Sequence, residues 1–395
     1  MQTRPSTWQF ILYMTSMAVI AQFASDNFLP SLPAISEYFN ISKNMTQYSV
    51  SLYLFGMGVF QFLYGPLSDV YGRKRVLVSG YVVFTVGSIF CFCAPTITWL
   101  LVGRVIQGAG IACTGLFRSV MRDSYNGTAL AKLGSIVTIA ASMTPPLAPI
   151  TGGYLEHFFG WRASFILLFV MGLTSVLVFS RYFPESLPAE NRRVFSIKGI
   201  IKNYFECFSH RNFVIFSMCS GLCLGIIFGY MTIGTFLYQH VLGLSPVAYG
   251  WLAIFGMFFM PMGAFFNRRF MDRFSLYQLT VFAAFMMLLG SVVMLMFALF
   301  HIMNIAVILA PTFIIYFGIG FVFPNAFTQA FDDFGHIAGV AGAAYGAIQV
   351  FTSSITTTLA AILPTNTQMP LALYCIACSG VMLLILTRVK KIKEV

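Results

Sequence analysis

The sequence predicts an all-α polytopic membrane protein with twelve transmembrane helices in two six-helix halves, and with both termini in the cytoplasm. Hydrophobic residues make up 58% of the 395 residues and charged residues only 9%, and the mean hydropathy is +0.83. Soluble domains contain about 45–50% apolar and about 25% charged residues, so no soluble fold of this length would bury this much apolar surface. The composition excludes a secreted enzyme, a nucleic-acid-binding protein and a disordered regulator.

Apolar runs recur along the chain, and a spanning helix needs about 20 apolar residues. The predicted spans are 9–29, 47–66, 76–94, 98–118, 131–153, 163–182, 212–236, 247–267, 276–300, 304–325, 336–362 and 370–388. The longest polar stretch, 183–211, follows the sixth span. It divides the chain into an N-terminal six-helix half (1–182), a cytoplasmic connector (183–211) and a C-terminal six-helix half (212–395), as in transporters built from repeats.

The distribution of basic residues predicts the orientation. An even number of spans puts both termini on one side, and the positive-inside rule identifies that side. With a cytoplasmic N-terminus, 20 of the 23 Lys and Arg residues fall in inner segments, whereas the outer segments hold only Lys43 and Arg162. The net charge of +11 therefore reflects topology and not a nucleic-acid partner. The compact loops are typical of a protein of the bacterial inner (plasma) membrane.

The cysteines and histidines form no pattern that predicts a metal site or a catalytic centre. Seven of the eight Cys residues lie in apolar runs, and the five His residues lie at loop or helix ends without clustering. Metal sites and membrane enzymes need such clusters. We therefore expect no metal, no cofactor and no enzymatic activity, and a polytopic enzyme or receptor is the least favoured class.

The loop after the second predicted span reads GPLSDVYGRKR (65–75). Gly65 and Gly72 allow a tight turn between two spans. Asp69 is suited to face the positive N-terminus of another helix, whereas Arg73 and Lys74 stay in the cytoplasm. The segment is either a conformational latch or only a topology signal.

This segment resembles a signature of the major facilitator superfamily, and the resemblance implies a latch between the halves, with Asp69 facing the start of span 11 near His336. The fourth span, GRVIQGAG (103–110), resembles the R-x-x-Q-G/A motif of drug–proton antiporters through Arg104 and Gln107. Over nearly its whole length the chain is similar to the bicyclomycin/chloramphenicol-resistance (Bcr/CflA) branch of twelve-span drug–proton antiporters.

The fifth span carries prolines and glycines in the segment MTPPLAPITGGYL (143–155). Prolines bend a helix, and glycines let neighbouring helices approach closely. The segment resembles the antiporter motif of the same group, with Thr144 in place of the first glycine. The matching residues are Pro145, Pro146, Pro149, Gly152 and Gly153. The resemblance implies antiport.

Asp26 is the only acid clearly inside a predicted span, and an intramembrane acid is a functional-site hypothesis. The alternative is a solvated helix end before Pro30. Arg104 lies at a similar depth, at about 1.5 Å per residue, and spans 1 and 4 line the cavity in the superfamily that the chain resembles. We expect Asp26, Arg104 and Gln107 to form a proton-coupling group. For Arg104, the alternative is snorkelling to the headgroups.

Other polar and aromatic residues within the spans are candidates for the wall of a substrate cavity. They are Asn27, Arg118, Tyr230, Tyr238, Asn325, Gln329, Tyr345 and Gln349. Ordinary helix packing is the alternative for each aromatic or amide side chain. For Arg118 we favour the cytoplasmic helix end. A position facing the cavity would instead make anionic substrates more plausible.

The predicted function is proton-coupled efflux, in which a proton enters as a small organic compound or drug leaves by alternating access. The alternative is a transporter of a specific metabolite such as a siderophore, an amino-acid derivative or a carboxylate. The expected partners are a small-molecule substrate, protons and the lipid bilayer. We expect a monomer that takes its energy from the proton gradient.

Overall fold

The computed structural model describes residues 7–125, 133–134, 136–137, 144–188, 190, 192, 197–332, 334 and 338–389, in which helices occur and no β-strand does. The helices are α1 (Thr7–Asp26), α2 (Leu32–Tyr38), α3 (Lys43–Tyr71), α4 (Arg73–Phe92), α5 (Ile97–Ile111), α6 (Phe117–Ser124), α7 (Thr144–Phe159), α8 (Arg162–Arg181), α9 (Ile197–Ser209), α10 (Arg211–Phe236), α11 (Pro246–Phe270), α12 (Leu276–Leu299), α13 (Ile305–Phe331), α14 (Ala338–Ala361) and α15 (Met369–Leu386). Short helical turns lie at Leu29–Ser31, Ala112–Leu116 and Leu237–Val241.

Nine helical segments among the described residues are long and apolar enough to cross a membrane. They coincide with nine of the predicted spans. The other three predicted spans correspond to α1, α7 and α14, and parts of the predicted ranges 131–153 and 336–362 lie outside the described residues. The chain is therefore a multi-pass membrane protein, and the count of twelve spans stays a prediction.

The fourth predicted span is not one continuous α-helix. A 3₁₀ turn at Ala112–Leu116 separates α5 from α6. A 3₁₀ helix has 3.0 residues per turn instead of 3.6, so five such residues rotate the following side chains by about 100° relative to a continuous α-helix. This rotation changes the face on which Arg118 lies.

Two hydrophobic clusters form the core of the molecule. One is built mainly from residues 10–183 and the other from residues 207–386. Phe228, Met231 and Val350 belong to the first cluster although they come from the C-terminal half. The two clusters therefore meet along α10 and α14.

We name the two ends of the helix bundle by residues. At the Asp26 end, α1 and α7 end and α3 begins; at the Asp69 end, α3 and α13 end and α14 begins. The halves contact each other along α3 and α14, where Ser354 Oγ donates to Ser51 O at 2.9 Å. That the Asp69 end faces the cytoplasm stays a prediction of the basic-residue count.

Candidate functional site

A buried cation lies within the N-terminal half. The side chain of Arg104 is 0% exposed, and its Cζ lies 4.1 Å and 4.2 Å from the ring centroids of Phe28 and Tyr53. Its Nε donates to Ser49 O at 3.1 Å and its Nη1 donates to Ala24 O at 3.2 Å. One side chain therefore links α5 to α1 and α3. Its full burial excludes snorkelling to the headgroups.

Gln107 extends the hydrogen bonding of Arg104 from α5 to α4. Its Oε1 accepts a hydrogen bond from Arg104 Nη1 at 2.7 Å, and its Nε2 donates to Ser88 Oγ at 2.8 Å. The three side chains form a hydrogen-bonded chain across two helices. We call Arg104, Gln107 and Ser88 the Arg104 cluster.

Asp26 is the last residue of α1, yet it is only 1% exposed. Its Oδ2 accepts a hydrogen bond from Gln22 Nε2 one turn earlier in the same helix. Its Oδ1 is buried without a hydrogen-bond partner. Burial excludes the solvated helix end that the sequence left open, because this carboxyl group lies inside the protein.

Asp26 and Arg104 do not form the ion pair expected from their depths. The ion pairs among the described residues involve other side chains. Arg104 instead donates to the carbonyl of Ala24, which lies two residues before Asp26 in α1. Arg104 Nη2 and Asp26 Oδ1 are both buried and without partners. In this conformation the N-terminal half holds a buried acid and a buried cation that are not paired with each other.

The loop at the Asp69 end is built around Arg73. Its Nη1 pairs with Asp69 Oδ1 at 2.6 Å, and its Nε pairs with Asp123 Oδ2 at 2.8 Å. Gly72 has a φ of +96°, a conformation that suits glycine. Lys74 makes no ion pair with any described residue. Asp69 thus bonds within its own loop, and His336, near which its expected contact lies, is outside the described residues.

The connector joins this loop through an acid that the sequence analysis did not single out. The backbone N–H of Arg73, at the start of α4, donates to Glu185 Oε1 at 2.8 Å. Glu185 also faces Arg192, with 3.7 Å between Oε2 and Nη2. A carboxylate at a helix N-terminus interacts favourably with the unpaired N–H groups there. Gly65, at the same end, packs on Ala343 of α14.

The proline- and glycine-rich segment lies in α7, which packs on α1 and on α11. A Cβ on Gly152 would lie 1.7 Å from Asn27 O, and one on Gly153 would lie 2.5 Å from Pro246 O. Only a residue without a side chain fits at these two contacts. Pro145, Pro146 and Pro149 precede them in the same helix, Pro149 within its interior. The segment therefore brings the two halves into contact near the Asp26 end.

A cavity of about 690 Å³ lies between the halves toward the Asp69 end, a size that suits small organic ligands. Residues of both halves line it, including Met17, Ala21, Met57, Gln61, Tyr64, Phe117, Arg118, Arg122, Phe327, Phe331, Tyr345 and Gln349. The wall is aromatic and apolar with two amides and two guanidinium groups. Within the described part of the chain, no group of three or more His, Cys, Asp or Glu residues is placed to hold a metal ion.

The position of Arg118 corrects the expectation from the sequence. Its side chain is exposed on the cavity wall, with Cζ 4.8 Å from the ring centroid of Phe327 in the opposite half. The sequence favoured the cytoplasmic helix end over the cavity. Arg118 lies at the start of α6, toward the Asp69 end, and it faces the cavity as well. The 3₁₀ turn before α6 turns this residue toward the cavity.

Two amides that we expected in the cavity instead hold helices together. Asn325 and Asn267 exchange reciprocal side-chain hydrogen bonds of 2.8 Å and 2.9 Å. Gln329 Nε2 donates to Thr280 Oγ1 at 3.2 Å. These bonds join α13 to α11 and α12. Neither Asn325 nor Gln329 lines the described cavity wall. Gln329 Oε1 is buried without a hydrogen-bond partner among the described residues.

Three further candidates lie toward the Asp26 end, away from the described cavity wall. Asn27 Nδ2 donates to Ala148 O at 3.1 Å and so joins α1 to α7. The hydroxyl groups of Tyr230 and Tyr238 are 3.1 Å apart, and the Tyr230 ring contacts Tyr316. Of the predicted cavity residues, Arg118, Tyr345 and Gln349 do line the cavity.

Gln61, Tyr64, Phe327 and Phe331 line the same cavity but were not predicted from the sequence. Gln61 offered a signal, because it is an amide inside an otherwise apolar predicted span and its Oε1 is buried without a partner. The aromatic residues offered none, since they are three among 43 Phe and 18 Tyr residues in the chain.

Comparison with known proteins agrees with this architecture. Multidrug resistance protein D of Escherichia coli (strain K12) is 29% identical over 376 residues, which cover 92% of this chain and 91% of the relative. The bicyclomycin resistance protein homolog of Haemophilus influenzae is 24% identical over 385 residues, covering 96% and 95%. The partially occluded inward-open structure of the xylose transporter XylE from E. coli has a TM-score of 0.70 at 15% identity and 97% coverage of each chain, a likeness of fold.

The family assignment rests on a match that covers most of the chain. Residues 14–361 match the sequence profile described as Major Facilitator Superfamily. The relatives that are named for multidrug resistance and for bicyclomycin resistance indicate the branch of this superfamily. The chain therefore belongs to the major facilitator superfamily of membrane transporters, within its Bcr/CflA branch.

Proposed function

We propose that this transporter is a proton-coupled antiporter that exports small organic compounds, including drugs, by alternating access. The observation that carries the proposal is the cavity of about 690 Å³ between the halves, beside a buried acid and cation that are not paired. The relatives named for multidrug and bicyclomycin resistance support export. The resistance in the names of these relatives also favours drugs, and not a single metabolite, as the exported compounds.

Asp26 is the proton carrier in this proposal. It lies five residues beyond Ala21, a residue of the cavity wall, and so roughly 8 Å farther along α1. Proton and substrate then occupy separate places. They need only bias the same two-state equilibrium in opposite directions. Ionised Asp26 attracts Arg104, whereas protonated Asp26 does not, and a conformation that brings the two together is favoured by proton loss.

In this proposal the Asp69 end, and the cavity that lies toward it, face the cytoplasm of a bacterial inner membrane, which the basic residues of that end support. A compound from the cytoplasm enters the cavity in this conformation. Release to the outside requires the Asp26 end to open, where α7 and α11 now pack closely. The transporter acts as a monomer, since each chain holds a cavity and an acid of its own.

The test uses inside-out membrane vesicles with a respiration-driven pH gradient and a fluorescent pH indicator. Chloramphenicol, a lipophilic cation and an aromatic carboxylate are added in turn to vesicles with the wild type, Asp26→Asn or Asp272→Asn. The last variant removes an exposed acid at the Asp69 end. We expect substrate to release the gradient in the wild type and in Asp272→Asn, and release to fall to background in Asp26→Asn.

Gradient release by Asp26→Asn at the wild-type rate would remove Asp26 from the mechanism. Absence of release by any compound, with the protein present in the membrane at normal levels, would contradict proton-coupled export of drugs. The same vesicles would then be tested with siderophores, amino acids and carboxylates for the metabolite alternative.

A further inference from the structure

The described wall of the cavity carries positive charge without matching negative charge. Arg118 and Arg122 both line it, and no Asp or Glu residue does. Both arginines belong to α6, which begins after the 3₁₀ turn. A cation placed within a membrane protein normally has an anionic partner or faces a functional cavity. Here a ligand bound in the cavity would supply the negative charge.

The surroundings of Arg118 leave its guanidinium available to a ligand. Its Cζ lies 4.8 Å from the Phe327 ring centroid and 5.4 Å from that of Phe117. The side chain is exposed, and no ion pair connects it to another described residue. Stacking on rings restrains the planar group and leaves its in-plane N–H groups free to form a forked pair of hydrogen bonds. Such forks match the two oxygens of a carboxylate.

The rest of the wall suits a flat apolar body with a second polar group. Phe327 and Phe331 stack on each other, with 4.4 Å between centroids, and Tyr345 meets the Phe327 ring edge-on. Gln61 Oε1 has no hydrogen-bond partner among the described residues. The rings and this amide lie in the same cavity as Arg118.

We propose that the cavity selects amphipathic organic anions, with an acidic group on Arg118 and an aromatic body against Phe327 and Phe331. Arg122 adds attraction from the same helix. This inference rests on the proposed transport function for the fate of the ligand, but binding itself is independent of proton coupling. It names the substrate class: aromatic carboxylates and related monoanions are preferred over neutral and cationic compounds of the same size.

The experiment measures binding by titration calorimetry to the purified full-length protein in lipid nanodiscs, without a gradient. The ligands are 2-naphthoate, 2-naphthylmethanol and 2-naphthylmethylammonium at neutral pH, which share one ring system and differ in charge. We expect the wild type to bind the naphthoate at least tenfold more tightly than the alcohol, and the ammonium most weakly. One charge-assisted fork supports a preference of about ten- to hundredfold.

The variants assign this preference to a residue. Arg118→Gln is expected to bind naphthoate and alcohol equally, whereas Arg118→Lys keeps part of the preference because it keeps the charge. Arg268→Gln, the same change at an exposed position at the Asp69 end, is expected to behave as the wild type. The ranking of the three ligands by the wild type needs no variant, so a variant that fails to fold leaves the test intact.

Equal or tighter binding of the alcohol or the ammonium by the wild type would overturn the proposal, as would an undiminished preference in Arg118→Gln. The two proposals fail separately. Binding of the anion with no gradient release in vesicles contradicts proton-coupled export alone. Gradient release by drugs with no preference for anions in nanodiscs contradicts the anion site alone.

Discussion

Arg104 shows what a single buried cation does in this protein. It donates hydrogen bonds to α1, to α3 and to Gln107, and two aromatic rings cover its faces. Carbonyl oxygens and π faces are weak partners compared with a carboxylate, so much of the cost of burying the charge remains. In the proposed mechanism an ionised Asp26 is the stronger partner that Arg104 gains in another conformation, and a switch requires such a difference between conformations.

We predict that Arg104→Lys lowers both stability and transport although it keeps the charge. An ammonium group cannot replace the planar fork that reaches two helices and Gln107 at once. The loss of one charge-assisted hydrogen bond is expected to lower the free energy of unfolding by about 1.5–3 kcal/mol. Thermal unfolding of the purified protein and gradient release in vesicles measure the two effects.

Arg268→Lys is the control, because Arg268 is exposed and no hydrogen bond of its side chain joins two helices among the described residues. It is expected to unfold at the wild-type temperature. If Arg104→Lys also unfolds at that temperature and transports normally, the fork geometry is unimportant and only the charge matters.

The amide side chains within the helices show what the sequence cannot predict. An amide in an apolar span is polar in any arrangement, but its partner depends on which helix lies opposite. Asn325 finds Asn267, 58 residues away in the chain, and Asn27 finds the carbonyl of Ala148, 121 residues away. Hydropathy identifies such residues and cannot assign their partners. Asp26 and Arg104 were singled out because charge is rarer in a span than an amide.

At the scale of the helices, the contact between α7 and α11 holds the Asp26 end closed. Gly153 meets the carbonyl of Pro246, and Gly250 meets the carbonyl of Pro149. We predict that Gly153→Ala opens this end, because its Cβ would lie 2.5 Å from Pro246 O and the helices must separate. Overpacking of this kind costs about 1–3 kcal/mol, which shifts a two-state equilibrium roughly five- to hundredfold.

Spin labels on Phe158→Cys and Val241→Cys, both exposed near the Asp26 end, would report this opening as a longer distance in electron double resonance. Of the eight native cysteines only Cys93 is exposed, so a Cys93→Ser background permits selective labelling. Gly380→Ala is the control, since a Cβ there meets nothing within 4 Å. A distance distribution unchanged by Gly153→Ala would show that this contact does not control the equilibrium.

The existence of the helices could be predicted better than their interruptions. The predicted span 276–300 matches α12 (Leu276–Leu299) within one residue, because its run of apolar residues is uninterrupted and Ser275 with Gln278 forms a capping box. Predicted span 4 has a comparable apolar run, but it breaks at Ala112–Leu116, where α5 and this turn pack closely against α4. At Gly110 the two backbones approach so closely that a Cβ would lie 2.2 Å from Phe84 N. Such tertiary contacts have no local sequence signal.

At the scale of the whole molecule, the functional parts lie in order along the bundle axis. The Asp69 end carries the Arg73 loop, which Glu185 of the connector joins through the start of α4. The cavity follows, then the Arg104 cluster with Asp26, and then the contact between α7 and α11. The helices that extend past all of these parts connect a conformational change in one part to the others. The main ones are α3 and α14, where the halves meet.

If both proposals hold, the charge that crosses the membrane in each transport cycle depends on the charge of the substrate. Export of a monoanion in exchange for one proton moves two positive charges inward per cycle, whereas exchange with a neutral compound moves one. Each charge is worth about 2.3 kcal/mol per 100 mV, so the export of an anion gains roughly 4.6 kcal/mol per 100 mV of inside-negative potential.

In respiring inside-out vesicles, valinomycin with potassium removes the membrane potential and leaves the pH gradient. We expect it to lower the accumulation of naphthoate much more than that of a neutral substrate such as the naphthyl alcohol, and Asp26→Asn to abolish both. Equal inhibition of the two compounds would contradict the exchange of one anion for one proton, because the membrane potential would then act on the same number of charges in both cycles.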